Sequence, residues 1–151
     1  MSITNTRDNA HQPAGKTVVM NVTVHFGDCD PAGIVFFPNF MRWLDAASLD
    51  FWMTCGLPPW RVSKAEGGFA GTPVLEVNTR FIKAATYGET LQIHTSIAEW
   101  RGKVFIEQQQ IRRGDELLCE ARVTRIFVKH DPQTGALKGV DPGPEVRALC
   151  S

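Results

Sequence analysis

His25-Phe26-Gly27-Asp28-Cys29-Asp30-Pro31-Ala32-Gly33-Ile34-Val35-Phe36-Phe37-Pro38-Asn39-Phe40 is the stretch around which the chain is organised. Before it, Val18, Met20, Val22, Val24 and Phe26 alternate with Val19, Asn21, Thr23 and His25. That is the period of a strand with one face on a core, and it stops at Gly27. After it, Asn39 to Cys55 places Phe40, Leu44, Ala47 and Phe51 on one helical stripe with Trp43 beside it, and Gly56, Pro58 and Pro59 end the run. Met41, Leu49 and Trp52 make the other side largely apolar as well, so this helix is expected to be enclosed at the centre of the molecule. The junction between strand and helix therefore carries two acids, and it aims a carboxylate and a helix N-terminus at one small volume.

Downstream, Leu57 to Gly71 reads as a connection with a short helix around Trp60 to Glu66. Four strand patterns follow, over Pro73 to Ala84, Glu89 to Trp100, Lys103 to Arg112 and Leu117 to Lys129. The links Thr86-Tyr87-Gly88, Arg101-Gly102 and Arg113-Gly114-Asp115-Glu116 are short enough for hairpins, which predicts that consecutive strands are antiparallel neighbours. Asp131 to Ser151 reads as a loop and a terminal helix. One strand, one enclosed helix and four strands imply an α+β fold in which an antiparallel five-stranded sheet wraps around one long central helix, the hotdog arrangement. No repeat or composition shift marks a second domain, so residues 17–151 are expected to form one unit behind a loose tail at 1–16.

The chain has 151 residues, with sixteen Lys and Arg balanced by sixteen Asp and Glu. A neutral balance gives no footprint for nucleic acid or an anionic membrane. The polar stretch from Met1 to Lys16 has no signal-peptide pattern, and no run approaches a membrane span, so a cytoplasmic protein is expected. Cys29, Cys55, Cys119 and Cys150 lack metal-ligand or redox-pair spacing, which predicts reduced thiols and no metal. Neither a GxSxG elbow nor an HExxH helix is present, which removes the serine and zinc hydrolase patterns.

Two readings of Asp28 and Asp30 fit the residue types. Aspartate favours turns and helix starts, and Asp-Pro initiates turns. Alternatively, Asp30 points into a cleft, where it attacks a carbonyl or deprotonates a water. Free amides near Phe37 and Asn39 at the helix start would then polarise the carbonyl oxygen. Such chemistry suits ester or thioester hydrolysis. Asp28 is the weaker candidate, being placed to tie the turn together, and His25 and His94 are expected to be structural or surface residues.

The segments Phe26 to Val35, Pro38-Asn39, Arg42 to Ser48 and Cys55 to Arg61, with Gly71-Thr72-Pro73, Glu99-Trp100-Arg101, Lys103 and Arg125-Ile126-Phe127, closely resemble the Pseudomonas-type 4-hydroxybenzoyl-CoA thioesterases. This resemblance implies a hotdog homodimer paired into a homotetramer, hydrolysing an aromatic acyl-CoA without metal or organic cofactor. It places Asp30 at the catalytic carboxylate, as nucleophile or general base, and Phe37 where a backbone amide binds the thioester oxygen, normally beneath a Tyr. Asp45 matches the position that contacts the phenolic hydroxyl of the acyl group. The helix rise sets Asp45 about 9 Å deeper than Asn39, a depth suited to a benzoyl group. An acid at a subunit interface, or paired with Arg42 or Arg61, is the other reading of Asp45. Arg101, Lys103 and Arg125 fall near the CoA nucleotide, and Gly102 stands where the family often has another basic residue. A thioesterase for short or medium aliphatic acyl-CoA and a non-catalytic acyl-CoA binder are the competing functions.

Overall fold

The computed structural model describes residues 15–151, so most of the expected tail at 1–16 lies outside the described residues. At its end, the Lys16 backbone N–H donates to the Cys150 carbonyl at 2.8 Å, tying this point to the C-terminus. Strand β1 (Val18–Thr23) leads through a 3-10 turn (Phe26–Asp28) to the long helix α1 (Pro38–Cys55), and a short helix α2 (Trp60–Ala65) follows. Strands β2 (Val74–Phe81), β3 (Thr90–Arg101), β4 (Val104–Arg113) and β5 (Glu116–Ile126) complete one antiparallel sheet in the order β1-β3-β4-β5-β2. After a break at Phe127, β6 (Val128–His130) and β7 (Leu137–Gly139) make a two-stranded ribbon, and α3 (Pro144–Leu149) ends the chain. The five-stranded sheet curved against α1 is the hotdog fold.

The sheet order differs from the expected run of hairpins at one place. β2 pairs with β5, not β3, so the connection through Thr86-Tyr87-Gly88 crosses the end of the sheet. Its backbone finds partners on the way. Ile82 donates to Leu118 O, Ala85 accepts from Val35 N, and Glu89 accepts from Val24 N. These contacts replace the ladder that a hairpin would have formed. Phe26 also departs from the strand reading, because β1 ends at Thr23 and the 3-10 turn leaves the ring 78% exposed, edge-on to Tyr87. The ribbon strand β7 falls in the region read as loop.

The helical stripe of α1 meets the sheet as its period requires, with Phe40, Leu44, Ala47 and Phe51 all buried. Enclosure is one-sided: Trp52 is buried as well, but Arg42, Asp45, Ala46 and Met53 are exposed. The core under the helix divides in two. One cluster joins Phe40, Trp43, Leu44 and Ala47 to Leu91, Ile93, Ile111 and Leu118; the other joins Phe51, Trp52 and Cys55 to Phe105, Phe127, Val146 and Cys150. Between them lies a buried polar layer of Ser48, Thr95, Glu107 and Gln109. Gln109 donates through Nε2 to Leu44 O at 2.8 Å and to Thr95 Oγ1 at 3.1 Å. Buried polar groups persist in a core when they are bonded in this way.

Candidate active site

The loop before α1 is fixed by its own aspartates. Asp28 accepts from the His25 backbone N–H at 2.9 Å through Oδ2 and from Arg42 at 2.9 Å through Oδ1, while its carbonyl accepts from Phe36 N and Asn39 Nδ2. Its side chain is thereby committed to the turn. Asp30 accepts the Ala32 N–H at 2.8 Å through Oδ1, and Oδ2 has no partner among the described residues. Gly33 follows at φ 81°, a left-handed conformation that favours glycine, and donates its N–H to Asp30 O. So Asp30 both structures the loop and keeps one carboxylate oxygen open.

At the start of α1 the two amides named from the sequence have different fates. Asn39 N–H is already bonded to Phe36 O at 2.8 Å, whereas Phe37 N–H has no acceptor among the described residues. Phe37 is the N-cap of α1, followed by Pro38, which has no N–H of its own, so Phe37 presents the orphan donor at this helix end. Its ring lies 5.8 Å from Phe36 and 6.0 Å from Phe81, centroid to centroid. The loop thus offers a carboxylate oxygen and a hydrogen-bond donor at the positive end of an 18-residue helix.

Asp45 stands about 12 Å further along α1 by the helix rise. It lines a separate cleft of about 370 Å³ with Leu49, Trp60, Thr72, Val74 and Arg125, and neither Asp30 nor Phe37 is in its wall. Its partner is neither Arg42 nor Arg61. Arg125 Nη2 donates to Asp45 Oδ1 at 3.0 Å, Arg125 Nη1 to Thr72 O at 3.0 Å, and Arg125 Nε to Glu107 Oε2 at 3.0 Å. Ser48 Oγ completes the chain by donating to Glu107 Oε1. The Arg125 side chain is only 6% exposed and Glu107 is fully buried, whereas the Asp45 side chain is 71% exposed. Burial pushes the Glu107 carboxyl above its ordinary value, with Arg125 and Ser48 opposing the rise and the charge of Asp45 adding to it.

Arg125, expected beside the CoA nucleotide, faces inward: its side chain is 6% exposed, and Nε, Nη1 and Nη2 each donate one hydrogen bond inside the protein. Arg101 and Lys103 do lie together at the exposed β3–β4 hairpin. Arg101 forms a two-point pair with Glu99, at 2.8 and 3.1 Å, and Lys103 has no side-chain partner among the described residues. Arg147 from α3 joins them, donating to Gly102 O at 3.2 Å and Asp141 at 2.7 Å and covering the Trp100 ring at 5.4 Å.

Sequence reasoning missed Glu107 and Arg147. A signal for Glu107 was present, since it shares the inward face of β4 with Phe105 and Ile111. His94 lies on β3, where burial and Arg112 lower its pKa, away from the loop carboxylates. Cys119 and Cys150 are pushed up to about 11 and about 12 by burial, which keeps both as inert thiols. Among the described residues no group of three or more His, Cys, Asp or Glu side chains is arranged to hold a metal ion.

Known proteins share this architecture along nearly the whole chain. The model of the thioesterase-like superfamily matches residues 24–148. The 4-hydroxybenzoyl-CoA thioesterase of Pseudomonas sp. (strain CBS-3) is 41% identical over 141 residues, covering 90% of this chain and 99% of that protein. A crystal structure of a mutant 4-hydroxybenzoyl-CoA thioesterase complexed with 4-hydroxybenzoyl-CoA superposes with a TM-score of 0.83 at 40% identity, covering 89% of this chain and 99% of that one. The structure of a gentisyl-coenzyme A thioesterase gives a TM-score of 0.75 at 26% identity, covering 89% and 100%. With its carboxylate-bearing loop, its capped central helix and these relatives, the chain belongs to the thioesterase-like superfamily and is a hotdog-fold thioesterase.

Proposed function

We propose that this protein hydrolyses an aromatic acyl-CoA thioester, 4-hydroxybenzoyl-CoA being the favoured substrate, to the free acid and CoA. The observation that carries the reading is the open Oδ2 of Asp30 in the same loop as the unbonded N–H of Phe37. Asp30 is the catalytic carboxylate. As nucleophile it forms an acyl anhydride and expels the CoA thiolate, and water then cleaves the anhydride to release the acid and restore the carboxylate. As general base it takes a proton from water, which attacks the carbonyl directly. In both routes the Phe37 amide stabilises the oxyanion. Arg101 and Lys103, on the exposed hairpin, bind the CoA phosphates. Asp45 receives the ring hydroxyl.

Asp30 is not in the wall of the Asp45 cleft, and the edge strand β2 suggests how they meet. β2 bonds only to β5 among the described strands, and Val74, Leu75, Val77 and Phe81 are all exposed on it. Antiparallel pairing of two copies along β2 would lay the Phe81 end of one strand beside the Val74 end of the other. The Phe37 ring contacts Phe81, and Val74 lines the Asp45 cleft. A two-fold dimer therefore sets the carboxylate loop of one copy against the hydroxyl-binding cleft of the other. Pairing of such dimers gives the tetramer that the family resemblance implies, and four free cysteines fit a reducing, cytoplasmic setting.

Steady-state hydrolysis of 4-hydroxybenzoyl-, benzoyl- and hexanoyl-CoA by the purified protein tests the proposal. The hydroxylated aromatic substrate is expected to give the highest kcat/KM. A preference for hexanoyl-CoA would move the protein to the aliphatic class, and binding of all three without cleavage would make it a sensor.

A further inference from the structure

The buried Ser48–Glu107–Arg125 chain ends at the one carboxylate that the proposed function assigns to the acyl ring, and it is built at a cost that packing alone does not require. Glu107 lies between two apolar clusters under α1, where a leucine or methionine would be the simpler filling. Its charge there is tolerable because Arg125 and Ser48 take its two oxygens. Arg125 is in turn fixed on three sides, by Glu107, by the Thr72 carbonyl and by Asp45. A planar guanidinium held at three points cannot swing, so the nitrogen bonded to Asp45 stays where the backbone of β5 puts it. Asp45 Oδ1 is thereby occupied. Oδ2 has no partner among the described residues, and the side chain is exposed at the wall of the cleft.

We propose that Arg125, braced by Glu107, is the positioning residue of Asp45, fixing its carboxylate so that one oxygen accepts from a ring hydroxyl at a single position. The inference rests on the proposed function above, because it presumes that Asp45 meets the acyl ring. A carboxylate free to rotate on its exposed stem would accept from a hydroxyl at either the para or the meta position. One pinned through Oδ1 offers a single fixed acceptor, and a hydroxyl one ring carbon away leaves that acceptor unpaired. The ion pair therefore acts on positional choice, and the thioester chemistry is carried elsewhere.

The test compares kcat/KM for 4-hydroxybenzoyl-, 3-hydroxybenzoyl- and benzoyl-CoA in the full-length protein and four variants, with folding checked by thermal melting. Glu107→Gln retains a neutral partner for both Ser48 and Arg125, and is expected to keep the para-to-meta ratio within about twofold of the parent. The double variant E107Q/R125M removes the brace without leaving a buried unpaired charge. It is expected to lower the para-to-meta ratio about tenfold. Arg125→Lys, which keeps the charge and loses the three-point fork, should lower the ratio in the same direction if the double variant does not fold. A folded E107Q/R125M or R125K protein with the parental ratio overturns the proposal, as does an equal loss on all three substrates. Asp45→Ala separates the two levels: if it lowers the hydroxylated-to-plain ratio while the arginine variants leave positional choice intact, the function reading stands and this inference fails. If Asp45→Ala changes no ratio, the assignment of Asp45 to the ring fails and this inference falls with it.

Discussion

Asp28, Asp30 and Asp45 lie close together in sequence and differ in what holds them. Asp28 spends both oxygens on the turn and on Arg42, Asp30 spends one on its own loop, and Asp45 spends one on Arg125. Asp28→Ala is therefore expected to cost about 1 kcal/mol of stability, read from a urea midpoint, while keeping far more turnover than Asp30→Asn. Glu107 supplies a pH prediction. Its folded-state carboxyl is raised above 4.5 by burial, with Arg125, Ser48 and Asp45 facing it, so the folded protein holds this proton more tightly than the unfolded chain does. The stability it contributes is fully present below the unfolded value and is lost as pH rises through the raised one. Thermal melting across pH should show this decline in the parent protein and a flatter profile in Glu107→Gln; matching profiles would contradict it. The turn around Asp30 and the helix start at Phe37 were readable as geometry because that setting is local to one loop. Glu107 was visible only as an acid on the inward face of a strand, and its partner Arg125 depends on the β4–β5 register, which lays Phe105 opposite Arg125.

α1 carries Asp45 and, through Asn39 and Arg42, holds the Asp28 turn that precedes Asp30, and its ends are set by local chemistry. Pro38 opens it, and Gly56 closes it at φ 116°, accepting a conformation that a side chain resists. Space is not the constraint there, since an added Cβ would lie 3.7 Å from Leu149, an ordinary contact. Gly56→Ala is expected to cost about 1–2 kcal/mol in chemical denaturation through backbone strain alone. The period of α1 and the alternation of β3, β4 and β5 were readable because each buries one regular face. The placement of β2 was not readable. A short polar link before β3 has the composition of a hairpin, but β2 is stabilised by a ladder to β5, which comes more than thirty residues later in the chain. Phe26 misled for a related reason, since it continues the apolar alternation of β1 while the backbone, still extended at His25, enters the 3-10 turn at Phe26 itself.

At the scale of the whole molecule, one chain leaves the edge strand β2 with Val74, Leu75, Val77 and Phe81 exposed, and the proposed dimer would join two half-sites across it. Val77→Lys places a charge in the middle of that edge, and sedimentation is expected to show loss of the dimer together with loss of turnover; an active monomer would contradict the shared site. Mixing Asp30→Asn with Asp45→Ala subunits should restore one complete site per mixed dimer, and so raise hydroxybenzoyl turnover above that of either variant alone. All of this depends on Asp30 being the group that attacks the thioester or activates the water that does. The most direct measurement is turnover of 4-hydroxybenzoyl-CoA by Asp30→Asn beside the parent protein, with binding of the substrate measured separately. The expected result is a fall in kcat of about a thousandfold with substrate still bound; parental turnover in the folded variant would contradict the account.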